Sequence, residues 1–471
     1  MRSILLGLLL AALPASSHAA QAPPPGDDPA YYFLLGRHLE GQGKIDDAIA
    51  AHRKAIALDD GSAELRAELA GLYARQDRAI ESLEMAESAL QRNPDNVEAN
   101  RILGSIYAAY TGERQPIRPG ENVAEYAAKA INALEKARGS GFDVAVEVSL
   151  GRLYVQTGAY DKAVPVLQRV VAYQPEFAEG AMLLAAAQEG AGRIDDAIGT
   201  LERLVAGNPA FYRGQLRLAE LYERQQRWSD ASDAYGRAHA LNPKASALAA
   251  RRAAALINGR EPAKARDLLQ RALSGAKGPL SEPMLLYLLA EAHRALGEIG
   301  EARAVAQRLL DASPDDERGL HVMSLILQEQ GEHAEAERVL RRIIARDPLD
   351  ANALNSLGYM FAERGERLGE AVELLQRALK IEPDNPAYLD SLGWAYFQQD
   401  RLDLADAPLT KAAGSLTSSS VVQDHLGDLR FKQQRYAEAV EAWERALAGD
   451  GQSIDRAKIE QKLRDARARV Q

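Results

Sequence analysis

None of the 471 residues is a cysteine. Disulfides, thiolate metal sites and thiol nucleophiles are thereby excluded, and so is a lipoprotein, whose anchor is built on a cysteine at the cleavage point. Long apolar runs are also missing. The one hydrophobic block, Ile4 to Leu13, falls short of the roughly 18 residues that a membrane span needs. Basic excess is lacking too: the formal net charge is −10 and no Lys/Arg run occurs, which argues against nucleic acid as a partner. No HExxH, GxSxG or Gly-rich phosphate loop is present, since the "EGQGKI" segment has neither a third glycine nor a Lys-Ser/Thr pair. The histidines are scattered and show no metal-ligand spacing. These absences leave no catalytic machinery, no cofactor and no metal to expect, and the chain reads as a non-enzyme.

What fills the chain is repetition. Small residues recur in register at Gly36, Ala70, Gly104, Gly151, Ala185, Ala219, Ala253, Ala290, Ser324, Gly358, Gly393 and Gly427. Most steps are 34 residues, and ten of the twelve small residues follow a leucine. A second small residue follows about twelve positions on, as at Ala48, Ala163, Ala197 and Ala371. Many units end at a proline, among them Pro94, Pro175, Pro209, Pro243, Pro314, Pro348 and Pro383. Each unit carries two apolar stripes at helical spacing around a polar turn: Leu150, Leu153 and Tyr154, then Ala163, Val166, Leu167 and Val170. A single such hairpin buries too little surface to stand alone, so the units must stack. The small residue lets the two helices approach, and the proline stops the second helix. Asp46 and Asp47, with Asp195 and Asp196, fall where second helices begin. They are expected to cap free N–H groups rather than to do acid–base chemistry.

The segments "LGRLYVQTGAYDKAVPVLQRVVAYQP" and "LGYMFAERGERLGEAVELLQRALKIEP" show the motif nearly whole. From about Pro29 to Gly451 the chain resembles the tetratricopeptide-repeat family. The resemblance implies an all-α fold, a right-handed superhelical solenoid of about twelve helix-turn-helix repeats, occupying 29–451. Residues 452–471 form a capping helix. A fourteen-residue insertion includes Tyr110 to Asn122, whose Pro, Gly and mixed charge predict a protruding loop. Three extra residues at Gly278-Pro279-Leu280 predict a break near 278–282 that divides the array in two.

Residues 1–19 read as a secretory signal: Arg2, a short apolar core, then Ser17-His18-Ala19 with cleavage after Ala19. Residues 20–28 are a disordered lead-in. A periplasmic or secreted location follows, with no transmembrane segment after cleavage.

In the family the first helix of each unit lines a concave groove, and partners bind there. The resemblance points two positions inward, three before the small residue and one after it. The pairs include Ala250/Ala254, Tyr287/Glu291 and His321/Leu325. No unit offers the Lys-then-Asn pair that the family uses to clamp a C-terminal carboxylate. In the last three units the pairs are Asn355/Tyr359, Asp390/Trp394 and Asp424/Asp428, with Phe397 near them. Rings beside amide and carboxylate groups suit an extended peptide or helix from a partner protein. The expected function is therefore a protein-interaction scaffold of the bacterial cell envelope. The alternatives are a polysaccharide-binding or export accessory module, because the same rows suit sugar rings, and a non-catalytic subunit of an enzyme complex.

Overall fold

The computed structural model describes residues 28–113, 115–139, 141–275, 282–451 and 454–470. The expected export signal at 1–19, the lead-in up to 27 and the 278–280 segment lie outside these residues. The described chain is all-helical and forms two compact units, one ending at Pro209 and the other beginning at Ala210.

The first unit holds five hairpins: α1 (Pro29–Gly41) with α2 (Ile45–Leu58), α3 (Ala63–Arg75) with α4 (Ala79–Arg92), α5 (Val97–Ala109) with α6 (Tyr126–Ala137), α7 (Val144–Gln156) with α8 (Tyr160–Tyr173), and α9 (Ala178–Gly190) with α10 (Ile194–Gly207). The second holds seven. They are α11 (Tyr212–Arg224) with α12 (Trp228–Leu241), α13 (Ser246–Asn258) with α14 (Pro262–Gly275), α15 (Glu282–Ala295) with α16 (Ile299–Ala312), and α17 (Glu317–Glu329) with α18 (His333–Arg346). Then come α19 (Ala351–Glu363) with α20 (Leu368–Ile381), α21 (Pro386–Gln398) with α22 (Leu402–Ser415), and α23 (Ser420–Lys432) with α24 (Tyr436–Ala448), before a lone α25 (Arg456–Val470). Within each unit, first helices pack on the next first helices, as α3 on α5, α5 on α7, α19 on α21 and α21 on α23.

The two helices of a hairpin start differently. Seven first helices open on side-chain caps: Asp28, Ser62, Asn96, Asp143, Asp316, Asp350 and Asn385 each accept from a backbone N–H in the first turn, whereas α9, α11, α13 and α23 have none. Second helices do not open this way. The caps of α2 and α10 are Lys44 and Arg193, without side-chain bonds, and Asp46, Asp47, Asp195 and Asp196 sit inside the first turn. The expected capping by these aspartates is corrected: they face the positive helix end as charges only. The backbone closes the turn instead. Gly43 and Gly192 take positive φ, and the following N–H groups of Lys44 and Arg193 reach back to Leu39 and Gln188 at 2.9 and 2.8 Å, a Schellman closure. Prolines such as Pro175 and Pro383 stand two residues past α8 and α20, where a missing N–H costs nothing.

The register of small residues has a direct steric cause. A Cβ on Gly104 would lie 2.6 Å from Leu134, on Gly358 2.7 Å from Leu375, and on Gly393 2.5 Å from Leu409. Each of these leucines is fully buried.

The insertion is less protruding than its composition suggests. Tyr110, Ile117 and Val123 pack on the core of α5–α8. Arg118 bridges Glu87 at 2.6 Å and Glu121 at 2.9 Å. The backbone N–H of Ile117 donates to the Tyr126 hydroxyl at 2.8 Å. Glu113, Gln115 and Pro116 remain exposed. The boundary between the two compact units falls after Pro209; on either side of the segment 276–281, which lies outside the described residues, α14 and α15 share one core, in which Ala265 and Leu269 join Leu285, Leu288 and Leu289. At the far end Ile459, Leu463 and Ala466 of α25 lie on Trp443. Among the described residues, no helix is long and apolar enough to cross a membrane.

Candidate functional site

Helices α19, α21 and α23 carry the three pairs singled out in the sequence, and they adjoin within the second unit. The structure sorts the seven residues into three groups.

Asn355 and Tyr359 lie one turn apart on α19, on the same face, and both are part-exposed. The Asn355 amide oxygen is buried without a hydrogen-bond partner. Burial, with the Glu363 and Asp390 carboxylates adding to it, pushes the Tyr359 hydroxyl above its ordinary range. An unmet buried acceptor of this kind costs about 1–3 kcal/mol.

Trp394 and Phe397 form a stack on α21, with ring centroids 4.8 Å apart and planes 12° from parallel. The Trp394 ring also stacks on His425 of α23 at 4.0 Å and 13°. Lys432 holds its ammonium 4.9 Å from the Phe397 ring centre while it pairs with Asp400 at 2.7 Å. The rings are thus fixed in orientation before any partner arrives.

The three aspartates are not open ligands, and here the expectation is corrected. Asp390 is buried, and both of its oxygens lie 3.0 Å from His425 Nδ1. Burial disfavours the charged imidazole, but the Asp390 carboxylate outweighs it, and the His425 pKa is raised. Asp424 and Asp428 both receive the Lys462 ammonium, at 2.9 and 2.7 Å. Burial and the neighbouring Asp424 raise the Asp428 pKa, with Lys462 opposing them. The aspartates therefore hold the repeats and α25 together, beneath and beside the face that Asn355 and Tyr359 offer.

His425 and Lys462 were missed from sequence. His425 sits between the two groove positions of its unit, 35 residues after Asp390, so its position next to Asp424 was the available signal. Lys462 comes from a helix outside the repeat, where register says nothing.

A second hollow opens further up the same unit. The groove pairs Ala250/Ala254 and Tyr287/Glu291 line a space of about 710 Å³ with Ile257, Met284 and Leu288. Its charged lining residues are neutralised: Arg251 pairs with Glu220 at 3.0 Å and Glu291 with Arg294 at 3.0 Å. The expectation of no metal-ligand grouping also changes, since Glu317, His321 and Asp350 converge.

A family model described as tetratricopeptide repeat matches residues 148–212, 322–386 and 365–415, and a second of the same description matches 283–324. The chain is 28% identical over 313 residues to cellulose synthase operon protein C of Xanthomonas axonopodis pv. citri (strain 306), covering 64% of this chain and 18% of that protein. It is 42% identical over 62 residues to TPR repeat-containing protein PA4667 of Pseudomonas aeruginosa, covering 13% and 10%. The match thus spans less than a fifth of either relative. Among solved structures, yeast Tom70 is similar with a TM-score of 0.45, 14% identity and coverage of 94% and 95%. The APC/C hetero-tetramer Cut9–Hcn1 gives 0.44, 12% identity, and 93% and 96%.

Proposed function

The chain belongs to the tetratricopeptide-repeat family, and on that premise we propose that it is a non-catalytic scaffold of the bacterial envelope that holds an extended partner segment against α19 and α21. One observation carries this reading. Asn355 and Tyr359 are part-exposed one turn apart on α19, beside rings already stacked in place at Trp394 and Phe397. Their polar groups suit a partner's backbone, and an apolar side chain fits the rings. Pre-set rings lower the ordering cost of binding. Export rests on the residue 1–19 signal alone, and N-terminal sequencing of protein recovered from the envelope fraction should start at Ala20.

The test is affinity capture from envelope extract with wild-type protein and an Asn355→Ala/Tyr359→Ala variant of unchanged helicity. Trp394 is left in place because its ring packs on His425. A protein captured by wild type and lost with the variant supports the site. Equal capture by both, or by neither, refutes it.

A second reading is favoured by the match of 64% of the chain to a protein named for a cellulose synthase operon. On that reading the chain serves polysaccharide synthesis or export. Retention of cello-oligosaccharides by the purified protein, lost with the same variant, would favour it over a peptide ligand.

A further inference from the structure

We propose that Glu317, His321 and Asp350 form a site for a divalent transition-metal ion of the zinc class, independent of the peptide site. One ligand atom from each of the three lies within 4.8 Å of the others. Among the described residues this is the one place where three such groups meet.

The ligands come from two consecutive repeats. Glu317 and His321 stand four apart on α17, so both project from one helix face. Asp350 is brought to them as the cap of α19. Its Oδ1 accepts from the Ala353 N–H at 2.8 Å, which fixes the carboxylate and turns Oδ2 toward His321 Nε2, 2.7 Å away. Asp350 is buried, His321 half-buried and Glu317 exposed, so an ion can enter from the Glu317 side and keep water on its open positions.

The electrostatics point the same way. Among the described residues, no lysine or arginine pairs with Glu317 or Asp350. The adjacent Arg318 turns aside to Asp316 at 3.0 Å and to the Met284 sulfur. Two carboxylates therefore face each other across one imidazole without a compensating cation. The other imidazole–carboxylate pairs differ. Glu298, beside His293, is shared with Arg266 at 2.8 Å, and His425 with Asp390 gathers no third ligand. One nitrogen and two oxygens form a borderline donor set, suited to zinc and its neighbours. Calcium wants six to eight oxygens and should not compete. An ion here would join the α17 repeat to the α19 repeat.

The experiment is calorimetric titration of tag-free full-length protein with ZnCl₂, together with the shift in melting temperature that binding to the native state brings. One zinc per chain is expected, with calcium unable to displace it. Glu317→Gln, at an exposed residue, should weaken binding on the order of tenfold or more, and His321→Gln should weaken it further. No stoichiometric uptake would overturn the site. So would titrations of the two variants that superimpose on wild type, or displacement of zinc by equimolar calcium. Peptide or protein capture through Asn355 and Tyr359 is a separate readout, and neither result decides the other.

Discussion

Replacing Gly393 by alanine adds one methyl group and tests the close approach that defines every repeat. Helix propensity alone favours the change by about 0.8–1 kcal/mol. Packing opposes it. The new Cβ would sit 2.5 Å from Leu409 Cγ and 3.1 Å from the Leu409 backbone nitrogen. Leu409 is fully buried among Ala405, Ala412 and Leu426, so its side chain has no free space to enter. The contact with backbone means that α21 and α22 must separate, and overpacking of this kind costs about 1–3 kcal/mol, here toward the upper end. The net expectation is a loss of roughly 1–2 kcal/mol. Gly199 supplies the control. It lies inside α10, and a Cβ there meets only the far end of Arg203 at 3.9 Å. Gly199→Ala should stabilise by about 0.5–1 kcal/mol. Repeat arrays open in segments, so the assay is amide hydrogen exchange of α21 and α10 beside a thermal melt. A Gly393→Ala protein as stable as wild type, or the same sign for both variants, would refute the steric account of the register.

Lys462→Met keeps the aliphatic stem and removes the ammonium between Asp424 and Asp428. It should cost about 1–3 kcal/mol and show as faster exchange at Ile459 and Leu463, and unchanged protection there would count against the latch. His425 has a raised pKa, so its pair with Asp390 stabilises the fold fully below the unfolded value of 6.5. That stabilisation is lost as pH rises through the raised folded value. Melts across about pH 5.5 to 8.5 should therefore show the advantage of wild type over His425→Gln shrinking toward the alkaline end, and a constant gap would contradict the linkage. Arg118→Ala removes the ties to Glu87 and Glu121. Limited proteolysis should then cut sooner within 110–122 while the melt changes little.

The helices and their pairing were legible because each unit repeats the same demand. A leucine stripe, a small residue and a stop recur, and a misreading at one unit is corrected by the next. Ala163 and Leu167 are buried where their stripe placed them. The start of second helices was misread because an acidic first turn and a capping aspartate look alike in sequence. The positive φ at Gly43 and Gly192 was the better clue: a left-handed residue lets the backbone close the turn, and Asp46 and Asp195 are left without a capping task. At Asp77, Gln226, Asp400 and Gln434 non-glycine residues take the same positive φ, so the turn geometry outlasts the glycine that would advertise it. The insertion was misread for a similar reason. Its Pro and Gly describe the exposed part, while Ile117 and Arg118, which pin it, are single residues with partners in other helices.

The site was legible only as a row of positions. Register predicts which side chains point to the groove, and it placed Asn355, Asp390 and Asp424 in line. It does not say which of them a neighbouring repeat will claim. Asp390 is claimed by His425, 35 residues later, and Asp424 by Lys462, 38 residues later. His321, in the same row, is claimed by Asp350 from the following repeat. A polar residue in this row thus tends to be answered from the repeat that follows, or from α25. Asn355 departs from the pattern. Among the described residues no donor reaches its oxygen. A buried carbonyl without a donor is a standing cost of about 1–3 kcal/mol in the free protein, borne here on the face that the proposed site uses. What distinguishes the candidate site is therefore the one position in the row that the fold leaves unanswered.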